Sequence, residues 1–177
     1  MRILGIDPGL RLTGYGCVEP AMRAGGKGGN GVGRGSRARF GADAILIEGG
    51  VIRLPPPGKA SLSQRLIELD EDLRAIIDRL NPAAVAVERL YAHYKHPTTA
   101  IVMGHARGVV LLNIQRAGLK LVELGATEVK KSLTGNGHAG KEQMQRGVQA
   151  QLGLTAPPRP ADVADAIAIG LCALRRM

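Results

Sequence analysis

The sequence predicts an α/β domain on a mixed five-stranded sheet, three antiparallel strands plus two parallel ones, with helices on both faces. Two apolar segments near residue 1 flank a Pro-Gly turn, which is the pattern of a β-hairpin. A later apolar run at 85–88 is short and uninterrupted, as in a parallel strand buried on both faces. Apolar residues at helical spacing before and after that run predict helices, which can serve as the crossover connections that parallel strands need.

The first three strands are predicted at 3–7, 13–19 and 44–54. The third strand is expected to bend at Gly49-Gly50. Between the second and third strands lies the segment 21–43, which contains eight glycines and five basic residues against a single acid, Asp43. This composition is typical of flexible linkers, so we predict a flexible Gly/Arg-rich insert at a hairpin tip.

The helices follow from the spacing of apolar residues. The first is predicted over 61–80, where Ser61 and Gln64 form a capping box at its start and an Asn-Pro pair ends it. The last is predicted over 160–175, and Pro160 suits its first turn. The remaining elements are expected as a helix at 98–117, a strand at 119–124 and helices at 127–133 and 140–152.

The composition narrows the class of protein. A chain of 177 residues suits one domain, which we place at 1–177. Its 24 Lys and Arg against 15 Asp and Glu give a net charge of +9, which favours nucleic acid as the partner rather than a membrane. Cys17 and Cys172 lie in apolar segments without a metal-binding pattern, as expected for free thiols in a reducing cytoplasm.

Four acidic residues interrupt apolar segments, where solvated charges are not expected. Asp7 and Glu88 each end a predicted strand, and Asp162 and Asp165 begin the last helix three residues apart. A carboxylate beside buried strands is unfavourable unless a cation or hydrogen bonds offset its desolvation. Carboxylates that converge from distant segments form oxygen-lined sites for Mg²⁺ or Mn²⁺. In a strongly basic chain, such a site indicates phosphodiester chemistry.

Each of these acids also has an ordinary structural explanation. Asp7 could cap the Pro-Gly turn, Glu88 could reach solvent from its strand end, and the helical pair could interact with the helix macrodipole. Their coincidence favours one shared site. The carboxyl edge of an α/β sheet is where ligands bind, and the helix face with Asp162 and Asp165 continues into apolar residues.

Five segments carry a family resemblance, in order and with compatible spacing. They are ILGIDPG at 3–9 with TGYG at 13–16, AVERLY at 86–91, GHARGV at 104–109, TEVKK at 127–131 through TGNG at 134–137 with Lys141, and ADVADA at 161–166. Together they resemble the motifs of the RuvC family, the bacterial Holliday junction resolvases of the RNase H-like superfamily. The resemblance covers nearly the whole chain and implies an RNase H-like fold.

The resemblance implies a homodimeric endonuclease that nicks a four-way DNA junction symmetrically during recombination and repair, leaving 5′-phosphate and 3′-hydroxyl ends. It assigns Asp7, Glu88, Asp162 and Asp165 as catalytic residues that ligate two Mg²⁺ ions, with Mn²⁺ as a substitute. It also implies the RuvA–RuvB branch-migration complex as a partner and the bacterial cytoplasm, without a membrane, as the location.

Candidate DNA contacts are less specific. Lys130, Lys131 and Lys141 bracket a Gly-Asn-Gly turn, where phosphate contacts are expected, although without the family resemblance a solvated helix face explains them equally well. The resemblance favours Lys130 and Lys141 as the DNA contacts. Tyr91 matches a family position whose aromatic ring can stack on a base, and its alternative is a Tyr at the core edge. Arg107 suits helix packing or a dimer contact as well as DNA.

Other functions stay open at this point. The Gly-Ile-Asp-Pro-Gly hairpin also resembles that of actin-like and sugar-kinase-like ATPases, but those folds need a second lobe that this chain is too short to form. Another RNase H-like nuclease, acting on RNA or on DNA without junctions, shares the scaffold. A module that binds junctions without cutting them is the third alternative, and the four acids argue against it.

Overall fold

The computed structural model describes residues 1–21, 43–90 and 97–177. Its elements are β1 (Ile3–Asp7), β2 (Leu12–Pro20), β3 (Ala44–Arg53), α1 (Leu62–Leu80), β4 (Ala84–Glu88), α2 (Pro97–Arg116), β5 (Lys120–Leu124), α3 (Ala126–Thr134), α4 (Lys141–Leu152) and α5 (Ala161–Arg176). Every predicted element is present, and no end differs from its prediction by more than one residue. Hydrophobic periodicity therefore located these elements well.

The five strands form one sheet in the order β3-β2-β1-β4-β5. Strand β1 pairs antiparallel with β2 and parallel with β4, and β5 extends the sheet parallel to β4. The mixed sheet with three antiparallel and two parallel strands is thereby confirmed. Because β1 and β4 are parallel neighbours, their carboxyl ends, Asp7 and Glu88, lie at the same edge.

The two faces of the sheet carry separate apolar cores. On one face, Ile3, Ala84 and Ala86 pack in a cluster with buried residues of α3, α4 and α5. On the other face, Leu4 and Val85 pack with buried residues of α1 and α2. Side chains alternate along a strand, so the odd positions of β1 and the even positions of β4 point towards α5. Helices on both faces are confirmed.

Helix α5 lies unusually close to the sheet because glycines remove the side chains beneath it. A Cβ added at Gly5 would overlap the main chain of Ala166, and one added at Gly14 would lie 2.6 Å from the carbonyl carbon of Asp162. Backbone atoms cannot move aside as a flexible side chain can. The glycines of β1 and β2 thus form a groove that holds the backbone of α5.

The predicted cap of α1 is present, whereas the start of α5 and the irregularity in β3 differ from their predictions. Pro160 is the N-cap residue of α5 rather than part of its first turn, and Ser61 forms the predicted capping box with Gln64. Pairing between β2 and β3 is regular at Gly49-Gly50, and the register shift lies instead at Ile47. A single extra residue in one strand produces such a shift and bends the strand at that point.

The predicted flexible insert 21–43 lies outside the described residues except at its ends. There, the amide of Ala21 donates to the carbonyl of Asp43 at 3.1 Å and continues the pairing of β2 with β3. Within the described ranges, no helix is long and apolar enough to cross a membrane. Cys17 and Cys172 are buried free thiols, as predicted.

Candidate active site

The two strand-end acids face the same helix. Asp7 lies at an odd position of β1, as Ile3 and Gly5 do, and Glu88 lies at an even position of β4, as Ala84 and Ala86 do. Both carboxylates therefore project from the carboxyl edge towards the face that α5 covers. Both side chains are only partly exposed, because apolar strands and helices surround them.

The glycine groove under α5 places the two acids of that helix, Asp162 and Asp165, at the same edge of the sheet. Gly14 pairs with Asp7 across β1 and β2, and the main chain of Asp162 lies directly against Gly14. The first turn of α5 is thereby held over the end of β1. Asp165, one turn further along, is partly buried and follows Asp162 on the same side of the helix.

Electrostatics show that the four acids are close neighbours. Burial and then the charges of Asp165, Glu88 and Asp162, in that order of importance, raise the pKa of Asp7 to about 7. Burial and then the charge of Asp165 also raise the pKa of Glu88. The pKa of Asp165 is raised by burial and then by Asp162. Segments far apart in the sequence thus build one strongly negative site.

A cleft of about 230 Å³ opens between these residues. Its polar lining consists of Asp7, Glu88, Asp165, Lys130 and Lys141, and its apolar wall comes from Ala126, Val129, Ala139 and Met144. Asp162 is not part of this lining and acts on the cleft through its charge on Asp7 and Asp165. The structure therefore brings three of the predicted ligands to the cleft wall and the fourth beside it.

Two of the three predicted lysines belong to this cleft. Lys141 lowers the pKa of Asp7 and Asp165, and Lys130 lowers the pKa of Glu88 and Asp165, each opposing the larger effect of burial. Lys131 is exposed and does not line the cleft. Tyr91 lies outside the described residues, so its predicted stacking role stays a prediction.

Two further residues, Thr13 and Gly14, support the site; they belong to the TGYG motif at 13–16, but sequence reasoning gave neither of them a role. The hydroxyl of Thr13 donates to the carbonyl of Gly9 at 2.7 Å and accepts from its amide at 3.1 Å. Thr13 is fully buried, so these two hydrogen bonds close the turn that follows Asp7. Gly14 is the second, and its close approach to α5 depends on tertiary packing. A Thr four residues after the glycine of a Pro-Gly turn is the sequence signal that could have identified Thr13.

Arg107 has a packing role within the described residues. Its Nε donates to the main-chain carbonyl of Glu88 at 3.4 Å, and its guanidinium forms an ion pair with Glu123 on β5. The side chain thus joins α2 to the ends of the two parallel strands beside the cleft. Of the roles that the sequence left open for Arg107, packing is the one that these contacts support.

The residues present suit a hard divalent cation. Carboxylate oxygens are the ligands that Mg²⁺ and Mn²⁺ prefer, and the local excess of negative charge would be neutralised by such an ion. In the described parts of the chain, no three His, Cys, Asp or Glu side chains are already arranged tightly enough to hold a metal. Burial and then the charges of neighbouring acids raise the pKa values of Asp7, Glu88 and Asp165, and this mutual repulsion opposes such an arrangement.

This chain combines a mixed sheet of order β3-β2-β1-β4-β5, helices on both faces and an acidic cleft at the ends of its central parallel strands, which is the arrangement of RNase H-like nuclease domains. The sequence model of one such family, described as "Crossover junction endodeoxyribonuclease RuvC", matches residues 27–173. The chain belongs to this family of Holliday junction resolvases. It is therefore an endodeoxyribonuclease, and the predicted family resemblance is confirmed.

Curated relatives support this assignment over nearly the whole chain. A crossover junction endodeoxyribonuclease RuvC from Rhodopirellula baltica is 41% identical over 170 residues, which cover 96% of this chain and 84% of the relative. A protein of the same description from Moorella thermoacetica is 41% identical over 172 residues, covering 97% of this chain and 90% of the relative.

Solved structures agree. The structure of Thermus thermophilus RuvC matches with a TM-score of 0.77 and 32% identity, and covers 99% of this chain and 95% of that chain. The same Thermus protein in complex with a Holliday junction substrate gives a TM-score of 0.78 at 30% identity, covering 99% and 94% of the two chains. The yeast mitochondrial Holliday junction resolvase Ydc2, at 13% identity and a TM-score of 0.60, shares the fold.

Proposed function

We propose that the acidic cleft is the catalytic centre with which this resolvase cuts four-way DNA junctions. Asp7, Glu88, Asp162 and Asp165 are its metal ligands. The observation that carries the proposal is that Asp7, Glu88 and Asp165, from three distant segments, line one partly buried cleft with Asp162 beside it. Burial and the neighbouring acids raise the pKa of Asp7 there to about 7. The Thermus relative solved with a Holliday junction substrate supports the choice of substrate.

Two Mg²⁺ ions are the proposed cofactors, with Mn²⁺ as a substitute. Bound there, divalent ions supply Lewis acidity to the scissile phosphate and stabilise charge on the leaving oxygen. Asp7 and Glu88 would hold them from the sheet, and Asp162 and Asp165 would hold them from the first two turns of α5. The apolar residues that line the rest of the cleft limit access of bulk water and strengthen these electrostatic interactions.

Lys130 and Lys141 are the proposed phosphate contacts within the cleft. Both carry positive charge to the edge of a site that would otherwise repel the DNA backbone. Lys131, exposed beside them, contributes to the basic surface that attracts DNA from a distance. We assign Tyr91 to base stacking near the junction centre on family resemblance alone. The proposed products are 5′-phosphate and 3′-hydroxyl ends.

We also propose a homodimer, because one cleft per chain cannot make two paired nicks at a twofold-symmetric junction. The proposed contact is the exposed side of α2. Ile101, His105, Gly108 and Leu112 recur at helical spacing on that side, with side-chain exposures of 61% at Ile101 and 45% at Leu112. A glycine with open space around it, such as Gly108, allows two helices to approach closely.

The dimer is tested by sedimentation of variants. Ile101→Asp should shift the protein from dimer to monomer and abolish paired nicks. Ile67→Asp is the matched control, because Ile67 is 57% exposed on α1 and lies outside the proposed surface. A wild-type monomer at micromolar concentration that still makes paired nicks would contradict the dimer.

The remaining partners rest on the family. The RuvA–RuvB branch-migration complex acts on the same junction, and we propose it as the protein partner in the bacterial cytoplasm. Copurification of the purified chain with RuvA–RuvB on junction DNA, compared with linear duplex, tests this contact. Equal recovery on both DNAs, or none on either, would count against it.

The catalytic proposal is tested by incubating the protein with a synthetic four-way junction, a linear duplex and an RNA–DNA hybrid. We expect junction cleavage with Mg²⁺ and none with EDTA. Asp7→Asn should abolish cleavage while junction binding stays within about twofold, since the basic residues contact the phosphates. Preferred cleavage of the hybrid or duplex would favour another RNase H-like nuclease. Binding without any cleavage would favour a non-catalytic module.

A further inference from the structure

Arg65 is a buried cation that the chemistry described above does not use. It is the fourth residue of α1, and its side chain is only 7% exposed. Its guanidinium donates to the main-chain carbonyl of Leu10, in the turn that follows Asp7. Leu10 is itself 3% exposed, so this contact lies inside the protein, behind the catalytic edge.

The surroundings of Arg65 do not provide the hydrogen-bond and acidic partners that a buried guanidinium needs. Its Nε is buried without a hydrogen-bond partner, and no acid forms an ion pair with it in the described ranges 1–21, 43–90 and 97–177. A positive charge near the amino end of a helix also opposes the helix dipole. Desolvation of an incompletely bonded guanidinium therefore offsets most of the stability that its one hydrogen bond contributes.

The turn is already closed by other contacts. Thr13 bonds both main-chain groups of Gly9, and the amide of Leu54 donates to the carbonyl of Arg11 at 3.2 Å. The fold thus does not require Arg65 in order to form the turn. Arg65 adds a fixed link between α1, on one face of the sheet, and the turn that follows Asp7.

We propose that Arg65 is a positioning residue, which anchors the turn after Asp7 so that this carboxylate keeps a geometry suited to metal binding. The inference rests on the proposed function, in which Asp7 is a metal ligand. Groups that are hydrogen-bonded directly to a metal ligand alter metal affinity by about 10- to 100-fold. Arg65 bonds the main chain of Leu10, three residues after Asp7, so we expect an effect at the lower end of this range. Arg65 acts through the backbone and touches neither metal nor DNA.

Arg2 provides a matched control. Its guanidinium donates to the main-chain carbonyl of Leu80 at 3.0 Å, so it also ties α1 to the start of the β1 segment, but at the opposite end of the sheet. Arg2 also pairs with Glu19, and its side chain is 41% exposed. Arg65→Met and Arg2→Met therefore each remove one guanidinium-to-carbonyl link, one beside the cleft and one far from it.

The test measures Mn²⁺ binding by electron paramagnetic resonance without DNA, alongside junction cleavage as a function of Mg²⁺ concentration. We expect Arg65→Met to melt within about 3 °C of the wild type, to weaken Mn²⁺ binding about tenfold and to raise the half-saturating Mg²⁺ concentration similarly. Arg2→Met should change neither metal value. Wild-type metal binding in Arg65→Met, or equal loss in Arg2→Met, would overturn the proposal.

Two further variants keep the outcomes distinguishable. If Arg65→Met does not fold, Arg65→Lys replaces it. A weaker Mn²⁺ site at an unchanged melting temperature supports the proposal, and an unchanged Mn²⁺ site overturns it. Asp7→Asn is titrated in parallel. If Asp7→Asn binds Mn²⁺ as the wild type does, the proposed metal site fails. If only Asp7→Asn loses binding, the role of Arg65 fails while the site stands.

Discussion

Replacing Asp7 by Asn should stabilise the metal-free protein while abolishing its activity. In an unfolded chain Asp7 ionises near pH 3.8, whereas burial and its acidic neighbours raise its pKa in the fold to about 7. Between these values the folded state holds a proton that the unfolded state releases. Stability therefore falls as pH rises through this window, and the penalty is complete above pH 7.

The size of the effect follows from the shift in pKa. Roughly three pKa units at about 1.4 kcal/mol each give a penalty of about 4 kcal/mol at pH 8. Part of the gain in Asp7→Asn is lost if the buried amide lacks partners, so we expect about 2–4 kcal/mol of stabilisation at pH 8. For a domain of this length, that raises the melting temperature by roughly 3 °C per kcal/mol. At pH 4 the contribution from the pKa shift falls to about 0.5 kcal/mol, so nearly all of the stabilisation should be lost.

The assay is urea and thermal denaturation in EDTA at pH 4, 6 and 8. Asp78→Asn is the matched control, because Asp78 is exposed on α1. An exposed substitution of this kind changes stability by no more than about 0.5 kcal/mol. If Asp7→Asn is as stable as the wild type, or less stable, at pH 8, the description of a crowded and desolvated acidic cleft is wrong.

Three further predictions concern the groove and the cleft. Gly14→Ala should destabilise the fold by about 1–3 kcal/mol and slow cleavage, as measured by denaturation and by junction assays. Gly49→Ala is the control and should have a smaller effect, because a Cβ at Gly49 would meet only side-chain ends, at 3.2 Å or more. Because Asp7 must lose its proton to ligate metal, apparent Mg²⁺ affinity should fall about tenfold per pH unit below pH 7, and a flat profile would contradict this. Lys141→Met should move that profile to higher pH and Lys131→Met should not, since Lys141 lowers the pKa of Asp7.

Much of the fold follows from local patterns. The apolar period of α1 with its Ser61 cap and the unbroken run of β4 located those elements within one residue. No local sequence pattern marks the register shift at Ile47, because the shift depends on how β2 and β3 pair. Pro160 was misplaced by one position, because proline suits both the N-cap and the first turn of a helix.

The candidate site was predictable for a different reason. A carboxylate inside an apolar segment is conspicuous in the sequence alone, and all four acids are neighbours in the fold. Spacing alone could not rank the lysines, because whether Lys130 or Lys131 faces the cleft depends on how α3 docks. The family resemblance was what favoured Lys130 and Lys141. The groove under α5 and the buried contact of Arg65 also depend on segments meeting in three dimensions.

The measurement that most directly tests the account is anomalous diffraction at the manganese edge from crystals soaked in Mn²⁺. We predict anomalous peaks inside the cleft, within coordination distance of Asp7, Glu88 and the acidic first turn of α5, and their loss in Asp7→Asn. Manganese bound only elsewhere, in crystals of a protein that cleaves junctions with Mn²⁺, would contradict the central claim.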